Sequence, residues 1–449
     1  MSLDRPNIVI FHCDDIGQHL GCYGAGVRTP NIDQLADEGV RFENAFCTAP
    51  QCSPSRGSLL TGRYPHNNGL MGLTNVGGWS LNTDERALPQ YLAEIGYHTV
   101  RYGQQHVGDD ERLGFEAVHK AIEFSEGGSE GFPWWPALGV AETFEETFDD
   151  ELTGTQPFYA HIGTSEPHQP YRHQWVPEEA YNEYDSEHIE VPDFLPDTSG
   201  VRQDIAELNA CITGTVDPAV GQVRQTLLDR GVLDDTLFIF IADHGIDMPR
   251  GKGMCYRPGI EIPIIMRHPD LPSGVHDDLV SNVDVLPTLI DLLGIDARSP
   301  NPLDGRSFAG LLGNYEYEQR SKIFAEITWH GQYNPIRSVR TTEYAYHRTF
   351  TNTPLVYMPY WESRAAKELA LEYYGTRRPM EQLYDLNVDP LERENLAPSN
   401  TYADGEGDLE SAACPEVLAD MRETLYDRLA ADGDPILEGP VALPQRMGW

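Results

Sequence analysis

The sequence predicts an α/β protein: a large, mainly parallel sheet sandwiched by helices, followed by a smaller carboxyl-terminal α+β subdomain that carries an antiparallel sheet. Three observations lead there. The first two-thirds of the chain alternate short apolar runs with helical patterns, as a parallel sheet covered on both faces requires. After about Gln332 the pattern changes to strand-like alternation. A chain of 449 residues can bury a large core in more than one layer. The expected division is 1–333 for the α/β domain and 334–449 for the antiparallel sheet with a terminal helix.

The elements follow in order. Asn7 to Phe11 reads as a buried strand. Thr29 to Gly39 reads as a helix, with Pro30 at its start and Gly39 at its end. Leu88 to Gly96 is a second helix, followed by a strand at His98 to Tyr102. Pro157 to Ile162 is a further strand, and Val201 to Arg230 carries long helical periodicity. Thr236 to Ala242 and Ile262 to Met266 are strands, and Val285 to Leu293 is a helix. Ile336 to Phe350 alternates as antiparallel strands do, Leu383 to Leu386 reads as a strand, and Val417 to Leu429 as a last helix. Thr401 to Glu410 is polar and acidic, the composition of a surface loop.

Composition excludes several classes. The formal net charge is -39, from 71 acidic and 32 basic residues. Lysine stands only at 120, 252, 322 and 367. Such a surface repels nucleic acid and anionic membranes. Acid excess with lysine scarcity points to a halophilic protein, whose self-repulsion is screened by salt. No apolar run reaches the roughly 20 residues of a membrane helix. The seven cysteines are scattered, at 13, 22, 47, 52, 211, 255 and 414, without paired or zinc-type spacing. With no basic-then-apolar leader in view, the expected compartment is a reducing cytoplasm.

Polar residues gather after four of the strands. His12-Cys13-Asp14-Asp15 follows the first, and Gly103-Gln104-Gln105-His106 follows His98–Tyr102. Glu166, Pro167 and His168 follow Pro157–Ile162, while Asp243-His244-Gly245 and Lys252 follow Thr236–Ala242. Ligands of open α/β sheets bind at the carboxyl ends of strands, so clusters far apart in sequence can share one crevice. Asp14, Asp15 and Asp243 would repel one another without a cation between them, and oxygen-rich ligation suits calcium or magnesium. A fifth stretch, Pro50-Gln-Cys52-Ser-Pro54-Ser-Arg56 through Leu60-Thr61-Gly62, places a nucleophile candidate just before a helix. Pro54 suits a first helical turn and Gly62 a helix end. The helix start and Arg56 together suit a tetrahedral oxyanion.

The spacing Cys52-x-Pro54-x-Arg56, with Leu60-Thr61-Gly62, resembles the signature of the sulfatase family. The resemblance implies an alkaline phosphatase-like fold and hydrolysis of a sulfate ester or sulfamate. It also implies oxidation of Cys52 to formylglycine by a formylglycine-generating enzyme. One hydroxyl of the aldehyde hydrate attacks sulfur and the second helps expel sulfate. The matching positions imply a divalent metal, calcium first, on Asp14, Asp15, Asp243, His244 and the residue made from Cys52. The imidazole of His244 also brings in manganese, with magnesium as a further alternative. By the same resemblance Arg56 fixes the formylglycine, His106 assists release of the sulfated hydrate, and His168 and Lys252 contact the sulfate or its bridging atom.

Tyr64-Pro65-His66-Asn67-Asn68-Gly69-Leu70, Gly103-Gln104-Gln105-His106-Val107-Gly108 and Glu381-Gln382-Leu383-Tyr384-Asp385-Leu386 are similar to the heparan N-sulfatase (sulfamidase) and arylsulfatase branch. The partners implied are a saccharide or other small-molecule sulfate and the maturation enzyme, with no nucleic acid and no membrane. One position departs: the lysine of the family pattern is Gln104 here, and Arg28, Arg101 and Arg257 are candidate substitutes for its charge. Two other readings stay open, a phosphonate monoester or phosphodiester hydrolase of the same superfamily and a weakly catalytic protein that binds a sulfated ligand. Irregular segments at Gly127 to Phe144 and Thr351 to Tyr374, with Trp134, Trp135, Tyr360 and Trp361, are expected to wall the pocket.

Overall fold

Strand β1 (Asn7–Cys13) extends the expected apolar run by two residues, and Ile8 to Phe11 are fully buried. Such a run, apolar on both faces, belongs in the middle of a covered parallel sheet. The computed structural model describes residues 3–120, 134–154, 156–296, 300–313, 317–356, 363–398 and 412–444. The further strands in chain order are β2 (Val40–Phe42), β3 (Ala45–Phe46), β4 (His98–Gly103), β5 (Ala117–His119), β6 (Phe158–Gly163), β7 (Thr236–Ala242), β8 (Ile264–Arg267), β9 (Gly274–His276) and β10 (Val280–Ser281). The large sheet runs β5-β4-β6-β1-β7-β8-β2-β9, and β3 and β10 pair apart from it. All pairs from β5 to β7 are parallel; β8 is antiparallel to both β7 and β2. The expected mainly parallel sheet is present. Its four strands that end in polar clusters, β4, β6, β1 and β7, are immediate neighbours. Their ends are level, with Gly103 opposite Gly163, His12 opposite Gly163 and Cys13 opposite Ala242.

The helical stretch expected at Val201 to Arg230 is interrupted. Helix Ser199–Cys211 passes through a π-type turn at Ile212–Val216 into helix Asp217–Asp229. Pro218 explains the interruption: it offers no N–H to the carbonyl four residues back, and its ring clashes there. Asp217 then accepts the N–H groups of Asn31 (2.9 Å) and Ile32 (3.0 Å), and so caps helix Pro30–Glu38 from outside.

The two expected irregular walls differ from expectation. Helix Ala137–Glu151 begins inside the first, and helix Arg364–Gly375 takes up much of the second. Both are amphipathic, with Val140, Phe144 and Phe148 of the one and Ala365, Ala366 and Leu369 of the other buried. Residues 121–133 and 357–362, Tyr360 and Trp361 among them, lie outside the described residues. The loop expected at Thr401 to Glu410 lies outside them too. No helix among the described residues is long and apolar enough to cross a membrane.

The second sheet has the order β11 (Ile323–Trp329), β12 (Tyr333–Arg340), β13 (Tyr344–Thr349) and β14 (Glu381–Asp385), antiparallel throughout. It begins ahead of the division expected at 333/334. Its first face joins the main core through Ile323, Ile327, Ile336 and Tyr384. Its second face, with Val339, Tyr346 and Leu383, packs on Leu418, Met421, Leu425 and Leu429 of helix Pro415–Asp432.

An ionic latch ties the sheets together. His66, in the turn after helix Cys52–Thr61, pairs through Nδ1 with Glu326 of β11, and its Nε2 lies 3.4 Å from Asp432. Asp434 is 3.8 Å from the same ring and is held by Arg337, at 3.0 Å from Nη2. Burial disfavours the His66 imidazolium, but Glu326, Asp432 and Asp434 outweigh it and push the pKa up to about 10. His66, Glu326 and Asp434 are close enough to hold a metal ion. The imidazolium and Arg337 already supply that counter-charge.

A His raised in the folded state stabilises fully below its unfolded pKa of about 6.5 and stops doing so as pH rises through the folded value. His66→Ala should therefore cost about 3 kcal/mol at pH 6, the order expected when one partner of a buried pair is removed. Calorimetric melting of the variant beside the native chain should show that gap narrowing by pH 9.5.

Candidate active site

The nucleophile candidate sits at the start of helix Cys52–Thr61, all ten residues of which are buried. Gln51 makes no side-chain cap, so the first N–H groups of the helix stay available to a ligand. Gly62 ends the helix in the left-handed conformation at φ 66°, and its N–H returns to the Ser58 carbonyl at 2.9 Å. Ser55 of this buried helix is anchored. The Ser55 hydroxyl donates to the Asp243 carbonyl, and Asn282 donates to the Ser55 carbonyl at 3.0 Å and to its hydroxyl at 2.8 Å. Residue 52 is thereby fixed to the end of β7.

The ends of β1 and β7 complete a five-residue cluster. One ligand atom each from Asp14, Asp15, Cys52, Asp243 and His244 lies within 4.8 Å of all the others, and all five residues are buried. His244 donates Nδ1–H to the Gly245 carbonyl at 2.9 Å. That bond orients the ring, so that Nε2 faces Asp15 at 3.1 Å and Cys52 Sγ at 3.5 Å. Gly245 is required at this point, because a Cβ there would lie 1.8 Å from the Pro258 carbonyl oxygen. Asp15 adopts a left-handed backbone at φ 44°, as does His106 at φ 52°. Left-handed non-glycine residues concentrate at functional sites.

The electrostatics are uneven. Asp243 accepts from the N–H of Asp15 (3.1 Å), the N–H of His244 (2.8 Å) and Arg56 Nε (3.0 Å). Burial opposes its ionisation, but His244 and Arg56 hold it well below the usual carboxylate range. Lys252 donates to both oxygens of Asp15, at 2.8 and 2.7 Å. Burial likewise works against Asp15, and Lys252 and His168 outweigh it. Asp14 has only a distant one, Arg56 Nη2 at 3.6 Å. Its Oδ1 meets no hydrogen bond among the described residues, and burial followed by the charges of Asp243 and Asp15 pushes its pKa well above normal. A hard divalent cation fits this donor set of three carboxylates, an imidazole lone pair and residue 52.

The remaining expected residues surround the cluster. Arg56 reaches Asp14 at 3.6 Å through Nη2, and neither Nη has a hydrogen-bond partner among the described residues. His168 donates Nδ1–H to the Gln169 carbonyl at 2.7 Å, and its Nε2 lies 3.9 Å from Asp15. Burial, with Lys252, lowers its pKa to about 4. His106 bonds Asn75 at 3.2 Å, and burial, with Arg56, lowers its pKa to about 3. Both rings are neutral at pH 7. Gln104 is fully buried; its Oε1 accepts from the Ser165 hydroxyl at 3.4 Å, and its Nε2 has no partner among the described residues. Burial and Asp14 raise the Cys52 thiol well above its usual range.

The candidate substitutes for the missing lysine charge are engaged elsewhere. Arg28 pairs with Glu183 at 3.0 Å, Arg101 with Asp110 at 2.7 Å, and Arg257 with Glu261 at 2.7 Å. Trp134 is a packing anchor: it stacks on Trp175 at 5.8 Å, and its Nε1 donates to Glu166 at 3.3 Å.

Sequence reasoning missed the braces Ser55 and Asn282, whose roles depend on distant partners. It also missed His330, at the end of β11. The charges of Lys252, His244, Asp15 and His168 reach this buried ring. The strand that ends there, Ile323–Trp329, lies ahead of the change in pattern after Gln332.

Residues 6–295 match the sulfatase family, and residues 250–413 match the carboxyl-terminal region of N-sulphoglucosamine sulphohydrolase. Human N-sulphoglucosamine sulphohydrolase is 30% identical, over 89% of this chain and 87% of that protein. An ulvan-active sulfatase of Formosa agariphila is 27% identical, over 98% of this chain and 83% of that protein. A solved Bacteroides thetaiotaomicron structure from work on the metabolism of multiple glycosaminoglycans superposes with a TM-score of 0.76. It covers 98% of this chain and 100% of its own, at 21% identity. The level strand ends and these matches have one reading: the chain belongs to the sulfatase family, hydrolases of sulfate esters and sulfamates.

Proposed function

We propose that this protein hydrolyses a sulfate ester or sulfamate borne by a saccharide, with Cys52 matured to formylglycine and a divalent cation in the cluster around it. The observation that carries the proposal is the meeting of Asp14, Asp15, Cys52, Asp243 and His244 within 4.8 Å. The ulvan-active sulfatase and the N-sulphoglucosamine sulphohydrolase it resembles support a saccharide.

The formylglycine hydrate would supply the attacking hydroxyl and a second hydroxyl for release of sulfate. A divalent cation, calcium or manganese before magnesium, would offset the three carboxylates and polarise the sulfuryl oxygens. The chain's own groups do the rest. Arg56, oriented by Asp243, presents two Nη groups to the anion. Lys252 shares its charge between Asp15 and a sulfuryl oxygen. Gln104, turned by Ser165, offers Nε2 as a neutral donor. His168 has its Nδ1 proton committed to a carbonyl, so Nε2 is the atom left to face the leaving group, and it would first take from solvent the proton it passes on. His106, held by its Asn75 bond, would take a proton from the hydrate. A thiol held protonated by burial disfavours direct attack by Cys52.

Mass spectrometry of the Cys52 peptide from active protein should show the aldehyde; an intact thiol in active protein would sink this chemistry. Side-by-side kinetics on N-sulfoglucosamine, an aryl sulfate and an aryl phosphonate should rank the phosphonate last. Cys52→Ala should abolish turnover while leaving the melting temperature nearly unchanged. Gln104→Ala should lower kcat by about ten- to a hundredfold, the scale for losing one preorganised donor at a developing anion. Removing the cation with a chelator should also abolish turnover, and titrating back calcium or manganese should restore it.

A further inference from the structure

Asp247 lies three residues beyond the cluster residue His244 and has no part in the chemistry above. It is 4% exposed. Its Oδ2 is shielded from solvent and has no hydrogen-bond partner among the described residues. A buried carboxyl oxygen left unmatched is costly, and native proteins keep few of them. The position is not loose. The Asp247 carbonyl accepts from Gln169 Nε2 and from the Tyr171 hydroxyl, both at 2.8 Å. Gln169 is the neighbour of His168, so the same turn carries the leaving-group histidine and clamps Asp247.

Gln169 and Tyr171 also line a pocket of about 310 Å³, with Arg172, Asp204 and Arg364. Asp247 feels Lys252 and Asp15 of the catalytic cluster and Asp204 of this pocket. Its carbonyl is held by two residues that line the pocket, and the carbonyl of its neighbour Ile246 accepts the Lys252 N–H at 2.9 Å, so Asp247 stands between the pocket wall and the Lys252 loop. Burial is the largest influence on it and pushes its pKa up to about 8, so its carboxyl can accept a hydrogen bond or donate one.

We propose that Asp247 is a specificity-determining residue that hydrogen-bonds a hydroxyl or amine N–H of the sugar ring beside the sulfated position. This inference rests on the sulfatase reading and narrows it. The substrate class is a hydroxylated or amino-sugar sulfate whose ring extends toward the pocket. An aryl sulfate lacks the donor and leaves Asp247 unmatched.

The test compares kcat/KM of the native enzyme, Asp247→Ala and Asp247→Asn on N-sulfoglucosamine, glucosamine 6-sulfate and 4-nitrophenyl sulfate. Asp247→Ala should lose about ten- to a hundredfold on at least one saccharide and change less than about threefold on the aryl sulfate. Asp247→Asn keeps the shape and one acceptor, so it should retain part of the discrimination and the native melting temperature. An equal fall on all substrates would make Asp247 structural and overturn the proposal. No fall on either saccharide, or native turnover of the aryl sulfate alone, would overturn it too. Failure of the native enzyme on every sulfate would remove the sulfatase reading itself, a result distinct from these.

Discussion

Everything in this structure is arranged around three carboxylates that cannot be neighbours unaided. Asp14, Asp15 and Asp243 arrive from β1 and β7, which pair directly, and all three are buried. Like charges so close in a poorly hydrated place raise each other's pKa and cost stability. Two of them are compensated from within the chain, Asp15 by Lys252 and Asp243 by Arg56 with two backbone N–H groups. The third is left over. Asp14 has only the 3.6 Å approach of Arg56, itself committed to Asp243, and that imbalance would favour a bound cation.

The same constraint explains parts of the fold far from the sheet edge. Lys252 compensates Asp15 only if its loop stays in place. That loop is held from two directions. The Gly253 N–H donates to the Pro50 carbonyl at 2.8 Å, which ties it to the segment before Cys52. Asn334 of β12 donates to the Gly253 carbonyl at 3.2 Å, and Arg378 holds Asn334 at 3.1 Å. The second sheet is thus a brace for the Lys252 loop rather than an appendage. The ionic latch of His66 with Glu326 and Asp434 closes the same joint from the other end of helix Cys52–Thr61.

The sequence made the large elements readable because their physics is local. β1 and β7 are continuous apolar runs, and Gly62 marks a helix end by its own backbone preference. The site's charged residues were readable for a related reason: strand ends are visible in the pattern, and parallel strands bring their ends to one edge. What was not readable depends on pairing between distant segments. Ser55 and Asn282 look like ordinary polar residues until the fold sets them 2.8 Å apart. β11 lies before the change in pattern that marked the second sheet, so His330 was missed with it. Helix Ala137–Glu151 was missed because the stretch before it, rich in glycine and aromatic residues, obscured where its amphipathic pattern begins. The setting of Gln104 depends on the fold as well, which commits Arg28, Arg101 and Arg257 to other carboxylates.

That commitment bears on how an anion is held by so acidic a chain. At a net charge of -39 the long-range field repels a sulfated ligand, and salt shortens that field to about 10 Å at 0.1 M. Binding must then come from contacts made inside the site. Both cations there are already paired with carboxylates, Arg56 with Asp243 and Lys252 with Asp15. They act as donors of fixed direction more than as free charge. Gln104 is a donor with no charge at all, and its unmatched Nε2 has the same buried character as the Nη groups of Arg56. A site built in this way selects by geometry. It rewards an anion whose oxygens meet directed N–H groups, and gains little from added negative charge. Sulfate monoesters and sulfamates carry a single negative charge on a tetrahedral head, and so make the smallest electrostatic demand on an acidic protein for the largest number of directed hydrogen bonds.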